Sequence, residues 1–158
     1  MVVVMNLKNN GLIKLALYSK LGRQKLHSIQ QRVKKYPTHN LNKVINKFRN
    51  EIIESRNQDF LTLKNIGDFF STSELRDLIF HIQEHQFTIP LIKQIINKLN
   101  LNFCGFENMK DLHLKFTKFH SSNKNLYDLD HWNYFEKANQ DIFEEMYNFW
   151  VQKNTKTF

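Results

Sequence analysis

Leu12-Ile13-Lys14-Leu15-Ala16-Leu17-Tyr18 is a near-continuous apolar run, preceded by the turn-forming Lys8-Asn9-Asn10-Gly11 and followed by Ser19. So short and apolar a run predicts a β-strand covered on both faces, as in a parallel sheet. That strand constrains the whole fold, because alone it leaves its backbone donors and acceptors unpaired. Its partners must come from a chain that otherwise reads mostly as helix. Leu101-Asn102-Phe103-Cys104-Gly105-Phe106-Glu107 predicts a second short strand, with Phe103 and Phe106 as its bulky residues. Tyr147-Asn148-Phe149-Trp150-Val151 has the aromatic and β-branched composition of a third. Phe143, Met146, Tyr147, Trp150 and Val151 also recur at helical spacing, so 145–152 stays open between strand and helix.

The helices announce themselves at their caps. Ser71-Thr72-Ser73-Glu74 opens one: a Ser at the cap accepts from a first-turn amide while Glu74 reaches back to the cap amide. Leu75, Leu78, Ile79 and Ile82 follow at helical spacing. Phe87 and Thr88 interrupt that run, and Thr88 can cap a second helix whose first turn accommodates Pro90. Leu91, Ile92, Ile95, Ile96 and Leu99 would line its buried side. Upstream, Ser19 can cap a helix over roughly 20–35, with Leu21, Leu26, Ile29 and Val33 inward. Pro37-Thr38 starts another, striped by Leu41, Val44, Ile45, Phe48, Ile52 and Ile53, and 59–70 predicts short helical turns. Downstream, Asn108 can cap a helix holding Met109, Leu112, Phe116 and Phe119, and 126–137 predicts one more around Leu129, Trp132 and Phe135. The expected class is α/β, predominantly helical, with two or three strands.

With 158 residues, 41% of them hydrophobic and 14 of them Phe, the chain can build one real core and is not a disordered segment. The formal charge of +8 permits nucleic acid or an acidic membrane as a partner, but the basic residues are spread along the chain and form no block. A single cysteine, Cys104, rules out an internal disulfide and suits a reducing compartment. No apolar run approaches the roughly 20 residues of a membrane span. Met1-Val2-Val3-Val4-Met5 is too short for the apolar core of a signal peptide and precedes no small-residue cleavage site. A cytoplasmic product is expected.

Three groups of residues could carry chemistry. His81-Ile82-Gln83-Glu84-His85 has the H-x-x-E-H spacing of inverted zinc peptidases. On a helix both imidazoles would share a face, with Glu84 as base and Glu144 or Glu145 as the only available third ligand. The simpler reading is a polar helix end whose histidines favour the negative end of the dipole, and no metal is expected. Tyr18, Ser19 and Arg23 stand at the carboxyl end of the first strand, where open α/β sheets bind ligands. The alternative for them is a helix cap beside a solvated Arg. Cys104, inside an apolar strand, reads as inert core. The glycines Gly11, Gly22, Gly67 and Gly105 lie far apart, so a Gly-rich phosphate loop is absent from the sequence.

Leu7-Lys8-Asn9-Asn10-Gly11 and the apolar run ending in Tyr18-Ser19 resemble the L-K-P-G-G strand, ending in Tyr-Ser, found late in class I S-adenosylmethionine-dependent methyltransferases. Asn9-Asn10 stands where that pattern usually has Pro-Gly. The block from Leu75 to His85, then Phe87-Thr88, Pro90 and Phe103 to Glu107, resembles one bacterial subset often fused behind tetratricopeptide repeats. Phe135-Glu136, Phe143 and Met146 to Lys153 resemble that subset's last strand.

The resemblance implies the C-terminal half of a Rossmann-like methyltransferase: strand five, a helical insertion, strand six, further helices and strand seven. One partial domain is expected, with a strand region at 1–19, the insertion at 20–100 and the remaining strands and helices at 101–158. The family holds S-adenosylmethionine with a Gly-rich loop after its first strand and an acidic residue ending its second. Both would precede this chain's first strand, so no cofactor binding is expected from this chain alone, and no cofactor-binding or catalytic residue is assigned. Tyr18, Ser19, Arg23, His81, Glu84 and His85 become candidates for the substrate side of the pocket. A separately encoded N-terminal half would be the partner. The competing readings are a basic helical module binding nucleic acid or a partner protein, and, behind it, a zinc hydrolase.

Overall fold

In a computed structural model, residues 6–36, 40–56, 60, 67–80, 84–107, 110–121, 124–143 and 146–155 are described. Their elements, in order, are β1 (Leu12–Ser19), α1 (Gln24–Val33), α2 (Leu41–Glu54), a 3-10 turn (Gly67–Phe70) and α3 (Thr72–Phe80). Then come β2 (Gln86–Phe87), α4 (Ile89–Lys98), β3 (Leu101–Phe106), α5 (Lys110–His120), a second 3-10 turn (Lys124–Tyr127), α6 (Leu129–Ala138) and β4 (Met146–Lys153). The fold is mixed α/β. The chain divides into two compact units: Met1–Gly22 together with His85–Phe158, and Arg23–Glu84 inserted between those two stretches. The insertion read from the sequence at 20–100 is thus narrower as a compact unit, because β2 joins the sheet and α4 joins the sheet's core. No helix among the described residues is long and apolar enough to cross a membrane.

The first unit is built on a four-stranded sheet of order β2-β1-β4-β3. Two or three strands were expected; the fourth is β2, whose two residues pair in parallel with Tyr18 and Ser19. The open question at 145–152 resolves as strand from Met146 on, with 145 outside the described residues: β4 runs antiparallel to β1 on one side and to β3 on the other. Its side chains explain the choice. Tyr147, Phe149 and Val151 are at most 1% exposed and alternate with Met146, Asn148 and Trp150, which is a period of two. The core on that face takes Ile89, Ile92 and Ile96 from α4, Leu112 and Phe116 from α5, and Leu129, Trp132 and Phe135 from α6.

The expected two-sided burial of β1 is not found. Ile13, Leu15 and Leu17 pack against the core, while Leu12, Lys14 and Ala16 face the other way and are exposed, Leu12 by 55%. Apolar residues at both parities of a strand read as double burial, yet the core gathers on one side only. The same one-sidedness corrects two helix stripes: Leu91 and Phe119 are exposed, whereas Ile89, which was not expected inward, is fully buried.

Local sequence accounts for most boundaries here. Thr88 caps α4, its hydroxyl accepting from the Leu91 amide at 3.3 Å, with Pro90 in the first turn as expected. Asp128 caps α6 by accepting from the Asp130 amide at 2.8 Å. The expected caps at Pro37-Thr38 and Asn108 lie outside the described residues. In β3 the pairing with β4 slips between Phe103 and Gly105, a bulge at which Gly105 takes φ +116°. One extra residue reverses the inside–outside parity of everything beyond it. Hence Phe103 and Phe106, of opposite parity, both reach Phe149, with ring centroids 6.0 Å apart in each case.

In the second unit α1, α2, the 3-10 turn and α3 close around Leu26, Ile29, Val33, Ile45, Phe48, Ile52, Phe69, Leu75, Leu78 and Ile79. Ile53, placed inward by the sequence stripe, is 53% exposed. Ser71 caps α3, accepting from the Glu74 amide at 3.4 Å. Arg49 binds the Phe69 carbonyl at 3.2 Å and the Thr72 hydroxyl at 3.3 Å, tying α2 to the turn before α3.

A Cβ at Gly105 would meet only Tyr127 Cε1 at 3.8 Å, so space is not the obstacle there. The positive φ is, and forcing an L side chain into such a conformation costs about 1–3 kcal/mol. Gly105→Ala is therefore expected to lower the unfolding free energy measured in urea by that amount, whereas an alanine at exposed Asn102 should leave it within about 0.5 kcal/mol.

Candidate functional site

Ser19 ends β1 with its side chain on the core side and no exposure. Contrary to expectation it does not cap a helix. The N-cap of α1 is Arg23, which makes no side-chain capping bond; Ser19 Oγ instead accepts from the Gly22 amide at 3.0 Å. The hydroxyl donates onward to Glu136 Oε1 at 3.3 Å, a long and therefore weak bond. Tyr147 Oη donates to the same oxygen at 2.5 Å. β1, the end of α6 and the start of β4 thus bring a serine, a carboxyl group and a phenol together at the carboxyl end of β1.

Neither Glu136 nor Tyr147 was singled out from the sequence. A signal existed for each. Glu136 lies one turn beyond Trp132 and two beyond Leu129, on the buried stripe of α6, and is itself 2% exposed. A carboxylate on such a stripe demands partners, since burying an unpaired charge is prohibitive. Tyr147 shares the buried parity of β4 with Phe149 and Val151. Burial pushes the Glu136 carboxyl above its ordinary range, partly offset by the bonds from Tyr147 and Ser19. Burial, followed by the bond to Glu136, pushes the Tyr147 phenol far up, so it stays protonated and donates throughout the working pH range.

Two of the predicted residues do come together, in the second unit. Arg23 Nη2 and Glu84 Oε1 lie 3.1 Å apart with side chains 2% and 4% exposed. Arg23 begins this unit and Glu84 ends it, so the ion pair clasps the two points at which the chain enters and leaves. Among the described residues neither Glu84 oxygen has a hydrogen bond of good geometry.

The other candidates separate. Tyr18 pairs with Gln86 and Met146 and lies on the strand face opposite Ser19. His85 is exposed, and His81 lies outside the described residues. Glu84 and His85 stand in irregular chain after α3, so the helical geometry on which the zinc reading depended is not present at those two positions. Among the described residues no group of three or more His, Cys, Asp or Glu could hold a metal ion. Cys104 is half-buried, and burial raises its thiol, the opposite of an activated nucleophile.

No model of a known protein family matches this sequence, and no curated protein matches it.

Two outcomes are expected. Glu136 binds its proton more readily in the folded chain than in the unfolded one, where a carboxyl titrates near about 4.3. Its contribution is thus fully present below that value and is lost as pH rises through the folded value. Glu136→Gln keeps an acceptor for Tyr147 and removes the titration. Stability measured from about pH 4 upward should fall in the parent relative to this variant; parallel curves would refute the assignment. Separately, Glu84→Gln removes the carboxylate charge beside a buried guanidinium and should cost about 3 kcal/mol in urea unfolding.

Proposed function

We propose that this chain is the C-terminal, substrate-side portion of a class I S-adenosylmethionine-dependent methyltransferase, inactive unless the cofactor-binding half accompanies it, whether on the same polypeptide or a separate one. One observation carries the reading. The three strands that the resemblance equates with strands five, six and seven form one sheet, and the last is slotted antiparallel between the other two. Class I methyltransferase sheets are closed by a reversed final strand in that slot. Strands five and six are then parallel to each other, as β1 and β3 are, each lying antiparallel to β4.

The side chains at the carboxyl end of β1 do not by themselves fit an adenosyl group. Ser19, Glu136 and Tyr147 direct their bonds to one another or to the neighbouring Gly22 amide, and the four glycines of the sequence form no loop that could cradle the cofactor. No chemical step is assigned to them. In this reading the Ser19–Glu136–Tyr147 cluster is a buttress for the floor of the substrate side, and Tyr18, one residue earlier, is a candidate for contact with the methyl acceptor.

Titration calorimetry with S-adenosylmethionine tests the proposal. The chain alone should give no binding heat. Co-purified with strands one to four of a class I methyltransferase whose own C-terminal half has been removed, it should bind the cofactor. Micromolar binding by the chain alone, or failure to restore binding with any such half, would sink the reading.

A further inference from the structure

The basic residues are spread along the sequence, but the acidic ones are not: no Asp or Glu precedes Glu51, although nearly half of the Lys and Arg do. In the inserted unit this leaves the chain from Arg23 to Asn50, α1 and most of α2, free of acidic side chains. Two of its cations are engaged inside the unit: Arg23 by Glu84, and Arg49 by the Phe69 carbonyl and the Thr72 hydroxyl. Arg32 lies over the Phe60 ring, 5.2 Å from its centroid. Lys34, Lys35, Lys43 and Lys47 are exposed, and among the described residues their side chains make no ion pair or hydrogen bond. In α2 this placement works against stability. Lys43 is in a first turn that contains no acid, where a cation opposes the positive end of the helix dipole. Lys47 follows four residues later, a spacing at which like charges repel. Lys43, Asn46, Lys47 and Asn50 form one exposed face, opposite the buried Ile45, Phe48 and Ile52. Lys34 and Lys35 follow α1, and the next residue, Tyr36, packs its ring on Phe48 with centroids 5.9 Å apart. That contact brings the end of α1 to the middle of α2.

We infer that this surface binds duplex DNA, with Lys34, Lys35, Lys43 and Lys47 on phosphates and the Asn46 and Asn50 amides turned towards base edges. Charge complementarity carries the choice: the four lysines need closely spaced anions from outside the chain, and a DNA backbone offers one about every 1.7 Å of its axis. Side-chain amides between the cations can donate to and accept from base edges, as lysines alone cannot. An α-helix fits the major groove of B-form DNA, about 12 Å wide, whereas that of duplex RNA is too narrow for it. An acidic membrane is the poorer match, because a helix that lies on lipid inserts an apolar face, and the apolar face of α2 is buried in its own unit. The inference goes beyond the methyltransferase reading and stands or falls without it.

Fluorescence anisotropy with the 158-residue chain and a labelled, mixed-sequence DNA duplex of about 20 base pairs tests this across a salt series from about 50 mM upward. Four phosphate contacts predict that the logarithm of the association constant falls with the logarithm of salt at a slope of about −3 to −4. Lys43→Gln combined with Lys47→Gln should make that slope shallower by about 2 and weaken binding at about 50 mM salt at least tenfold. Both side chains are exposed and oppose the dipole, so this variant should melt no lower than the parent. Lys115→Gln combined with Lys118→Gln removes the same net charge from the exposed surface of α5 and should bind like the parent. An equal loss in that control would reduce the effect to overall charge and overturn the inference. An unchanged slope in the α2 variant, or no binding at about 50 mM salt, would overturn it too. So would tighter binding to a duplex RNA of the same length, or to vesicles of phosphatidylserine and phosphatidylcholine in equal parts.

Discussion

The sheet exists because a strand near the end of the sequence lies between two strands made much earlier. β4 supplies bonding partners to β1 and β3 at once, and those two do not pair with each other. Without it each loses its long ladder, and β1 keeps only the two-residue pairing with β2. The same strand brings Tyr147, Phe149 and Val151 into the core, so backbone pairing and apolar burial depend on one segment. Its register with β1 joins residues at opposite ends of the sequence, and closing so long a loop carries an entropy cost that only cooperative formation of the core repays. Everything distinctive about this half of the chain follows from that insertion: the parallel relation of β1 and β3, the bulge that turns Phe106 inward, and the gathering of polar groups at one end of β1.

Each compact unit contains a buried carboxyl group, and the two are handled differently. Glu136 is surrounded by hydroxyl donors and sits in a region that raises its affinity for a proton, so burial and hydrogen bonding pull it in opposite directions. Glu84 faces a permanently charged guanidinium. The first arrangement fixes the geometry of a strand end; the second ties the two ends of an inserted unit. Neither is a strong argument for stability in itself, since well-packed apolar groups could serve as well. Their value is specificity. A buried polar group tolerates only the packing that satisfies it, which makes Ser19, Tyr147 and Arg23 intolerant of alternatives.

Two helix starts were legible, because capping is local: Thr88 with Pro90, and Ser71 with Glu74, act within one turn of chain. Burial stripes were legible in outline and wrong at their margins, as Leu91, Ile53 and Phe119 show. A helix of mixed apolar residues does not declare which way its stripe will be rotated against a neighbour. The candidate site was half legible. Arg23 and Glu84 were chosen independently and meet, while Ser19 was chosen for the wrong task and finds its partners in two residues that had been read only as parts of a helix and a doubtful strand.

Composition and spacing alone determined that this chain is α/β, that it lacks a glycine-rich loop, and where α3 and α4 begin, since each of these depends on residues close together in sequence. Only the tertiary structure decided that 146–153 is a strand, that β1 is covered on one face and bonded fully on one side, and that Glu136 meets Ser19 and Tyr147. A segment with both periodicities takes the conformation that its neighbours can satisfy, and those neighbours, β1 and β3, lie far from it in the sequence.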